Sequence, residues 1–265
     1  MCGIAGYSLS PDSPVGRTLA AQALLAGIAE RGADAVGYAS RGAGEDISIT
    51  KLRGGASALL DEIAVPQDAM HALIHVRDYT KGRPEIVANN HPIRHGAVVG
   101  IHNGLIENDD ELLDGYGIER EEPEMTVDSE AIFALMELRQ NDPRALAELH
   151  GALETAWLDE RDPTTLFLAR GVARPLWIGH VDGALFFAST RRALAIVEAA
   201  LRTRLAAREV REGRMLEVRD GEVARVRRFR PDRSYREDKP RTPVRAPQEA
   251  VFCLQRLAII TQAAA

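Results

Sequence analysis

A chain of 265 residues, 45% of them hydrophobic, is long enough to form one large or two small globular domains around a buried core. Its formal net charge of −6 argues against a dedicated nucleic-acid-binding protein, which needs a clustered basic surface. The two cysteines, Cys2 and Cys253, lie at opposite ends of the chain without CxxC spacing, so they indicate neither a disulfide framework nor a cysteine zinc site.

The N-terminus lacks the basic and apolar regions of a signal peptide. Apolar runs also stay shorter than the roughly 20 residues that a membrane-spanning helix needs. We therefore expect a soluble, cytoplasmic protein that does not bind membranes.

The N-terminal third of the chain predicts strands around one helix. Residues 3–9 are a short apolar run typical of a strand, and residues 15–32 have the apolar spacing of a helix that ends at Gly32. The segments AVGYAS and ISITKL follow, separated by turn-forming residues, and predict a β-hairpin.

The middle of the chain predicts two more strands and then two helices. ALIHVR and AVVGIHN are strand-like and are separated by a loop rich in Gly, Pro and Asn. DSEAIFALMELRQ has apolar residues at helical spacing, and PRALAELH is also predicted to be helical.

The sequence becomes rich in strands after Gly151. Short β-type segments surround one helix, and RMLEVRDGEVARVRRF predicts a hairpin with an Asp-Gly turn. Without regular βαβ alternation, this order suggests a layered α+β fold with mainly antiparallel sheets. We assign residues 2–230 to one domain and residues 231–265 to a charged Pro/Arg-rich tail with a short C-terminal apolar segment.

Cys2 is the first candidate for chemistry. If Met1 is removed, Cys2 gains a free α-amine, whose reference pKa of about 7.7–8.0 suits it to take the thiol proton. N-terminal amines activate threonine nucleophiles in the same way. The alternative is that Cys2 is a small buried hydrophobic residue at the start of a strand.

Three other signals are weak when taken singly. Arg77 could hold a carboxylate or form a surface salt bridge. Asn103 and Gly104 could stabilise an oxyanion or form a common Asn-Gly turn. Asp128 could hold an ammonium group or cap a helix N-terminus. Together with Cys2, they describe a pocket for an amino acid.

The ordered motifs closely resemble the class II, N-terminal-nucleophile glutamine amidotransferases, particularly the glutaminase domain of glucosamine-6-phosphate synthase. The resemblance covers about the first 230 residues, and several ordered motifs are more specific than any one alone. The matching segments are CGIAGY, RGADAVGYA, HVRDYTKGRPEIVANNHPI, VVGIHNGLIEN and TVDSEAI, with weaker similarity in RPLWIGHVDGALFFASTRRAL and EGRMLEV.

The resemblance implies a four-layer αββα fold and hydrolysis of L-glutamine through a γ-glutamyl thioester on Cys2. Asn103 and Gly104 would stabilise the oxyanion. Arg77, supported by Thr80, would hold the α-carboxylate, and Asp128 would hold the α-ammonium. Supporting roles fall to Arg31, Gly82 and His91. This chemistry requires no cofactor.

The sequence departs from the resembled family in two ways. Asp78 and Lys81 stand where glucosamine-6-phosphate synthases usually have Trp and His, so the loop over the glutamine site is altered. The sugar-phosphate isomerase half of those enzymes has no counterpart after residue 230. We therefore expect a separately encoded synthase partner to receive the ammonia. The alternatives are a free-standing γ-glutamyl amide hydrolase and a non-catalytic glutamine-sensing subunit.

Two histidine pairs, His71/His75 and His91/His95, have the i, i+4 spacing of metal ligands on a helix. Because the first pair falls in or beside a predicted strand and the second in a Pro-containing loop, we expect no metal site. The oligomeric state is not predicted.

Overall fold

The computed structural model describes residues 1–42, 46–237 and 242–263. The centre of the predicted RGAGED turn and part of the predicted tail lie outside these residues. The described strands are β1 (Gly3–Leu9), β2 (Ala35–Arg41), β3 (Ile47–Arg53), β4 (His71–Arg77), β5 (Ile93–His95), β6 (Val98–Ile106), β7 (Gly151–Asp159), β8 (Asp162–Arg170), β9 (Trp177–Val181), β10 (Ala184–Ala188), β11 (Ala206–Glu209), β12 (Arg214–Arg219) and β13 (Glu222–Arg228).

Within the described residues, these strands form two antiparallel sheets. One sheet has seven strands in the order β11-β9-β10-β1-β4-β2-β3, and the other has six in the order β13-β12-β8-β7-β6-β5. The helices are α1 (Arg17–Ile28), α2 (Asp109–Tyr116), α3 (Glu130–Leu138), α4 (Arg191–Ala200) and α5 (Pro247–Ala263).

The helices cover the outer faces of the two stacked sheets. Helix α1 packs on β1 and β4 and also contacts α4 and α5, while α3 packs on β5 and β6. Between the sheets lies a core that contains Ile4 and Leu73 from one sheet and Ile101 and Leu168 from the other. The predicted layered α+β fold with four layers is confirmed.

Strand β1 is buried on both faces. Ala5, Tyr7 and Leu9 face the helices on the outer side of the sheet, whereas Ile4 faces the other sheet. Successive side chains of a strand point to opposite faces, so a strand between two apolar layers needs apolar residues at nearly every position. Cys2, the residue before β1, therefore lies beside two hydrophobic cores, one between the sheet and its helices and one between the two sheets.

Two predicted hairpins are confirmed, β2–β3 and β12–β13. In the second, Asp220 and Gly221 have φ values of 49° and 75°, which is the left-handed pair that an Asp-Gly hairpin turn requires. The predicted helix PRALAELH is wrong: only a short 3-10 helix, Pro143–Ala147, forms there before the chain enters β7.

The C-terminal segment contains a longer helix than the sequence analysis predicts. Helix α5 has 17 residues and packs on α1 and the adjoining 3-10 helix through a narrow stripe of Ala250, Cys253 and Leu257. Within the described ranges, no helix combines the length and the apolar content needed to cross a membrane.

Candidate active site

The fold brings the first candidate residues together where β1 and β4 meet. Gly3 of β1 pairs with Val76 of β4. Cys2 and Arg77 therefore lie side by side at the same end of these two neighbouring central strands. Strand β6 of the other sheet, which carries Asn103 and Gly104, contacts both β1 and β4. Residues from both sheets therefore meet at Cys2.

Backbone contacts hold Cys2 at this meeting point. Its Sγ lies 3.4 Å from the Asp78 carbonyl oxygen, and the Arg31 side chain donates to the Cys2 carbonyl over 3.1 Å. Burial raises the pKa of the Cys2 thiol above its usual value. The thiol is therefore protonated at neutral pH and needs a base to become a nucleophile.

The amine of Met1 forms a partly buried ion pair with the Asp78 carboxylate. Burial lowers the pKa of this amine, although Asp78 opposes the shift. Asp78, which departs from the resembled family, thus holds the N-terminus in place. Arg245, next to α5, lies 3.4 Å from the other oxygen of the same carboxylate.

Asn103 and Gly104 do not form a turn, because both lie within β6. The Asn103 side chain is buried and its Nδ2 donates to Glu154 over 2.6 Å. A Cβ on Gly104 would come within 1.9 Å of the Ala152 carbonyl oxygen. Only glycine allows β6 to approach β7 this closely, so its backbone reaches the cavity beside Cys2.

Arg77 is buried and does not form the alternative surface salt bridge. Its guanidinium donates to the carbonyl oxygens of Lys81 and Gly82 over 2.9 and 2.5 Å and to Asn90 Oδ1 over 2.5 Å. Gly82 has a φ of +78° and would clash with Asn89 if it carried a Cβ. Arg77 therefore fixes the loop that carries Thr80.

Asp128 is buried just before α3, but the helix N-cap is Ser129. Asp128 Oδ2 instead accepts the Ile106 backbone N–H over 2.7 Å. Burial raises the pKa of this carboxyl to about 6, against the opposing effect of that hydrogen bond. A buried carboxylate of this kind favours a cationic ligand that restores its charge balance.

His91 is buried and stacks on His75 with ring centroids 4.2 Å apart. Burial, together with His75, lowers the pKa of His91 well below its usual value, so the ring is neutral and packs as part of the core. Among the residues that the structure describes, no group of three or more His, Cys, Asp or Glu side chains is placed to hold a metal ion.

Cys2 and Thr80 border two cavities of very different size. The larger cavity, about 270 Å³, is also lined by Asn103, Gly104 and Arg174. The smaller cavity, about 10 Å³, is lined by Arg77, His91, Asp128 and neighbouring residues. The cavity between Arg77 and Asp128 is thus much the smaller of the two.

Lys81 lies on the loop over the smaller cavity. Its ammonium forms ion pairs with Asp109 and Asp110 over 2.7 and 2.8 Å, which tie the loop to the start of α2. This contact could not be predicted from the sequence, because α2 has few apolar residues and its pattern does not indicate a helix.

Asp128→Asn is expected to weaken glutamine binding about 10- to 100-fold, because a hydrogen bond to a charged group is worth about 1.5–3 kcal/mol. Calorimetry on Cys2→Ala protein measures binding without turnover. Wild-type Asp128 becomes protonated below about pH 6, so affinity should fall there. The Asp128→Asn variant should bind weakly with no such pH step, and the distant Asp61→Asn should bind normally. Equal affinities for Asp128→Asn and its parent would contradict the assignment.

Part of this chain matches a known family of domains, and much of it is similar in sequence to known enzymes. Residues 83–196 match the sequence model of a family described as "Glutamine amidotransferase domain". The glutamine–fructose-6-phosphate aminotransferase (isomerizing) of Rhizobium meliloti is 31% identical over 204 residues, and that of Escherichia coli K12 is 33% identical over 213 residues. These alignments cover 74% and 73% of this chain but 32% of each relative, so the chain spans about a third of their length.

Solved structures share the fold. Glutamine phosphoribosylpyrophosphate amidotransferase from B. subtilis superposes with a TM-score of 0.67 at 21% identity, covering 86% of this chain and 49% of that one. A structure described as the allosteric regulatory enzyme of purine biosynthesis gives the same TM-score at 23% identity. The family match over residues 83–196 and the sequence relatives show that the chain contains a glutamine amidotransferase domain, and the two solved structures show that it shares their fold.

Proposed function

We propose that this protein hydrolyses L-glutamine to glutamate and ammonia with Cys2 as the nucleophile. The observation that carries the proposal is the convergence of Cys2, Asn103 and Gly104 with the buried pair Arg77 and Asp128. Cys2 and Arg77 lie at the ends of β1 and β4 in one sheet, Asn103 and Gly104 lie in β6 of the other, and Asp128 lies just before α3.

The reaction begins when the free α-amine of Cys2, exposed once Met1 is removed, takes the thiol proton. Sγ then attacks the side-chain carbonyl carbon of glutamine, and its oxygen becomes an oxyanion facing Asn103 and the Gly104 N–H. The C–N bond breaks as the amine returns the proton to departing ammonia. Water then hydrolyses the γ-glutamyl thioester, which releases glutamate and restores the thiol.

Substrate orientation would come from the smaller cavity. Arg77 presents a buried cation to the α-carboxylate, with Thr80 beside it, and Asp128 presents a buried carboxylate to the α-ammonium. Arg31 acts at a distance, because it holds the Cys2 carbonyl and so braces the nucleophile. His91 and Gly82 shape the surrounding loop.

The ammonia is proposed to pass to a separately encoded synthase or acceptor subunit. Support comes from the relatives, whose names describe an aminotransferase that acts on glutamine and fructose 6-phosphate. Co-purification from the source cells should recover a synthase-like protein that raises glutamine turnover in the presence of its acceptor. Recovery of no such protein, with no acceptor stimulating hydrolysis, would contradict the partnership.

A second candidate is a free-standing hydrolase of other γ-glutamyl amides. The cavity of about 270 Å³ beside Cys2 favours it, since this space next to the nucleophile would hold the amine portion of a larger γ-glutamyl amide. Turnover of γ-glutamyl amides of larger amines at rates above that of glutamine would select this candidate.

Removal of Met1 is expected to be essential for activity, because retention converts the proposed base into a peptide nitrogen. Two preparations can be made from one N-terminal fusion, one cleaved to begin at Cys2 and the other at Met1. We expect release of glutamate and ammonia from glutamine by the first and a loss of at least about 100-fold in the second, the scale of a general base. Equal activities would contradict the mechanism, and inactivity of both would contradict the proposed function.

A further inference from the structure

Glu154 is a fully buried acid that the proposed mechanism leaves without a role. It lies in β7, directly across from Asn103 in the pairing of β6 with β7. Ionisable side chains are rarely buried unless their charge or hydrogen bonds are used. Because Glu154 lies next to Asn103, the proposed oxyanion residue, its role is expected to involve Asn103.

The Glu154 carboxylate joins the oxyanion residue to the nucleophile strand. Its Oε2 accepts from Asn103 Nδ2 over 2.6 Å and from Ser189 Oγ over 2.9 Å. Ser189 Oγ in turn accepts the Ile4 backbone N–H over 2.9 Å. One carboxylate oxygen thus links Asn103, through Ser189, to a residue two positions after Cys2.

The same carboxylate determines which way the Asn103 amide faces. Nδ2 can donate two hydrogen bonds, whereas Oδ1 only accepts. With Nδ2 turned toward Glu154, one N–H is used there and the second remains available. In the opposite orientation, Asn103 Oδ1 would face a carboxylate oxygen and the two would repel. Among the described residues, Oδ1 has no hydrogen-bond partner that would favour either orientation.

Two arginines offset the charge of Glu154. Arg31 and Arg174 both favour its ionised form, although burial is the larger effect and raises the pKa of the carboxyl to about 7. Arg31 also donates to the Cys2 carbonyl. A carboxylate close to a developing oxyanion would ordinarily oppose it, and these neighbouring guanidinium groups reduce that cost.

We propose that Glu154 is a positioning residue that orients the Asn103 amide so that its second N–H faces the carbonyl oxygen under attack. This inference rests on the proposed glutaminase function. Glu154 acts through Asn103 and does not touch the substrate. Its effect should therefore appear in kcat, where the oxyanion matters, and not in KM, which depends on the Arg77 and Asp128 end of the site.

The test compares steady-state glutamine hydrolysis by Met1-free variants. Glu154→Leu removes the acceptor at similar volume and is expected to lower kcat about 10- to 100-fold, since loss of an oxyanion donor costs about 10²–10³. KM should stay within about threefold of the wild-type value. Glu154→Gln can still accept from Nδ2 and should restore most of the lost kcat. Thr155→Val, on the same strand but bonded to the Ile101 carbonyl, is the matched control and should leave kcat unchanged.

A double-mutant cycle separates positioning from general support of the fold. In an Asn103→Ala background, Glu154→Leu should cause no further loss of kcat, because the side chain through which it acts is absent. Additive losses would overturn the inference, as would an unchanged kcat in Glu154→Leu or a loss confined to KM.

If Glu154→Leu does not fold, Glu154→Asp keeps the charge but withdraws the carboxylate from Asn103 by one methylene group, and it should lower kcat about 10-fold by misplacing the amide. An unchanged kcat in that variant overturns the inference. A Met1-free wild-type protein without glutaminase activity overturns the proposed function and this inference with it, whereas an active wild type with insensitive Glu154 variants overturns the inference alone.

Discussion

Cys2→Ala in the Met1-free protein is expected to lower kcat for glutamine hydrolysis by about 10⁴-fold or more, because it removes the atom that forms the thioester. No other thiol can replace it: the second cysteine, Cys253, lies on the buried face of α5, on the outer side of the seven-stranded sheet. The variant should still bind glutamine, since the residues proposed to hold the α-carboxylate and α-ammonium are unchanged.

Cys253→Ala is the matched control for this experiment. Burial raises the pKa of its thiol to about 12, so this cysteine remains a protonated core side chain. We expect full glutaminase activity and a modest loss of stability on the order of 1 kcal/mol, typical of a small truncation in the core. Glutamine turnover that survives in Cys2→Ala, or that is lost in Cys253→Ala, would contradict the assignment of the nucleophile.

Mild acid is expected to destabilise the fold steeply, because four imidazoles are buried in their neutral form. Burial lowers the pKa of His71 to about 4, of His75 to about 3 and of His102 to about 4, and it lowers that of His91 well below its usual value. In the unfolded chain these rings take up protons near pH 6.5. Their contribution to stability is therefore complete above pH 6.5 and is lost as the pH falls toward 4.

Two buried carboxyls oppose this effect. Asp128 and Glu154 have raised pKa values of about 6 and about 7, so below these values the folded state holds protons that the unfolded state releases. Four histidines outweigh two acids, which leaves a net uptake of about two protons on unfolding near pH 5.5. Each proton contributes about 1.4 kcal/mol per pH unit, so the free energy of unfolding should fall by about 2–3 kcal/mol between pH 6 and pH 5.

Urea denaturation at half-unit steps from pH 7 to pH 5 measures this slope. His71→Leu tests its origin, because His71 lies at the end of β4 opposite Arg77, away from the candidate site. Removing one imidazole should reduce the slope by about 1.4 kcal/mol per pH unit. A free energy of unfolding that stays constant or rises on acidification would contradict the prediction.

Local sequence patterns were sufficient for several strands and for both hairpins, but β5 lies in a segment predicted to be a loop. The apolar run of β1 and the Asp-Gly turn of β12–β13 each follow from neighbouring residues alone, and the structure contains both. Patterns failed where tertiary contacts decided the conformation. PRALAELH has helical spacing but is too short to continue beyond one 3-10 turn before the chain must pair as β7.

In the candidate site, too, the residues could be predicted from the sequence, whereas their contacts depended on the tertiary structure. Cys2, Arg77, Asn103, Gly104 and Asp128 could be selected from their residue types and order, and the structure places them around one pair of cavities. Their alternatives could be rejected only in three dimensions. Asn103 and Gly104 lie in a strand and not in a turn, because they pair with β7. Arg77 is buried and donates to the loop that follows it, so it does not form a surface salt bridge.

The sequence by itself determined which chemical groups are present and the order in which the elements carrying them occur, because strand periodicity and turn residues act over a few positions. Only the tertiary structure decided which buried polar groups meet. Glu154 and Asn103 are 51 positions apart in the chain, and their 2.6 Å contact depends on the register of β6 with β7. Register is fixed by the packing of whole sheets, and a shift of one residue would turn Glu154 to the opposite face.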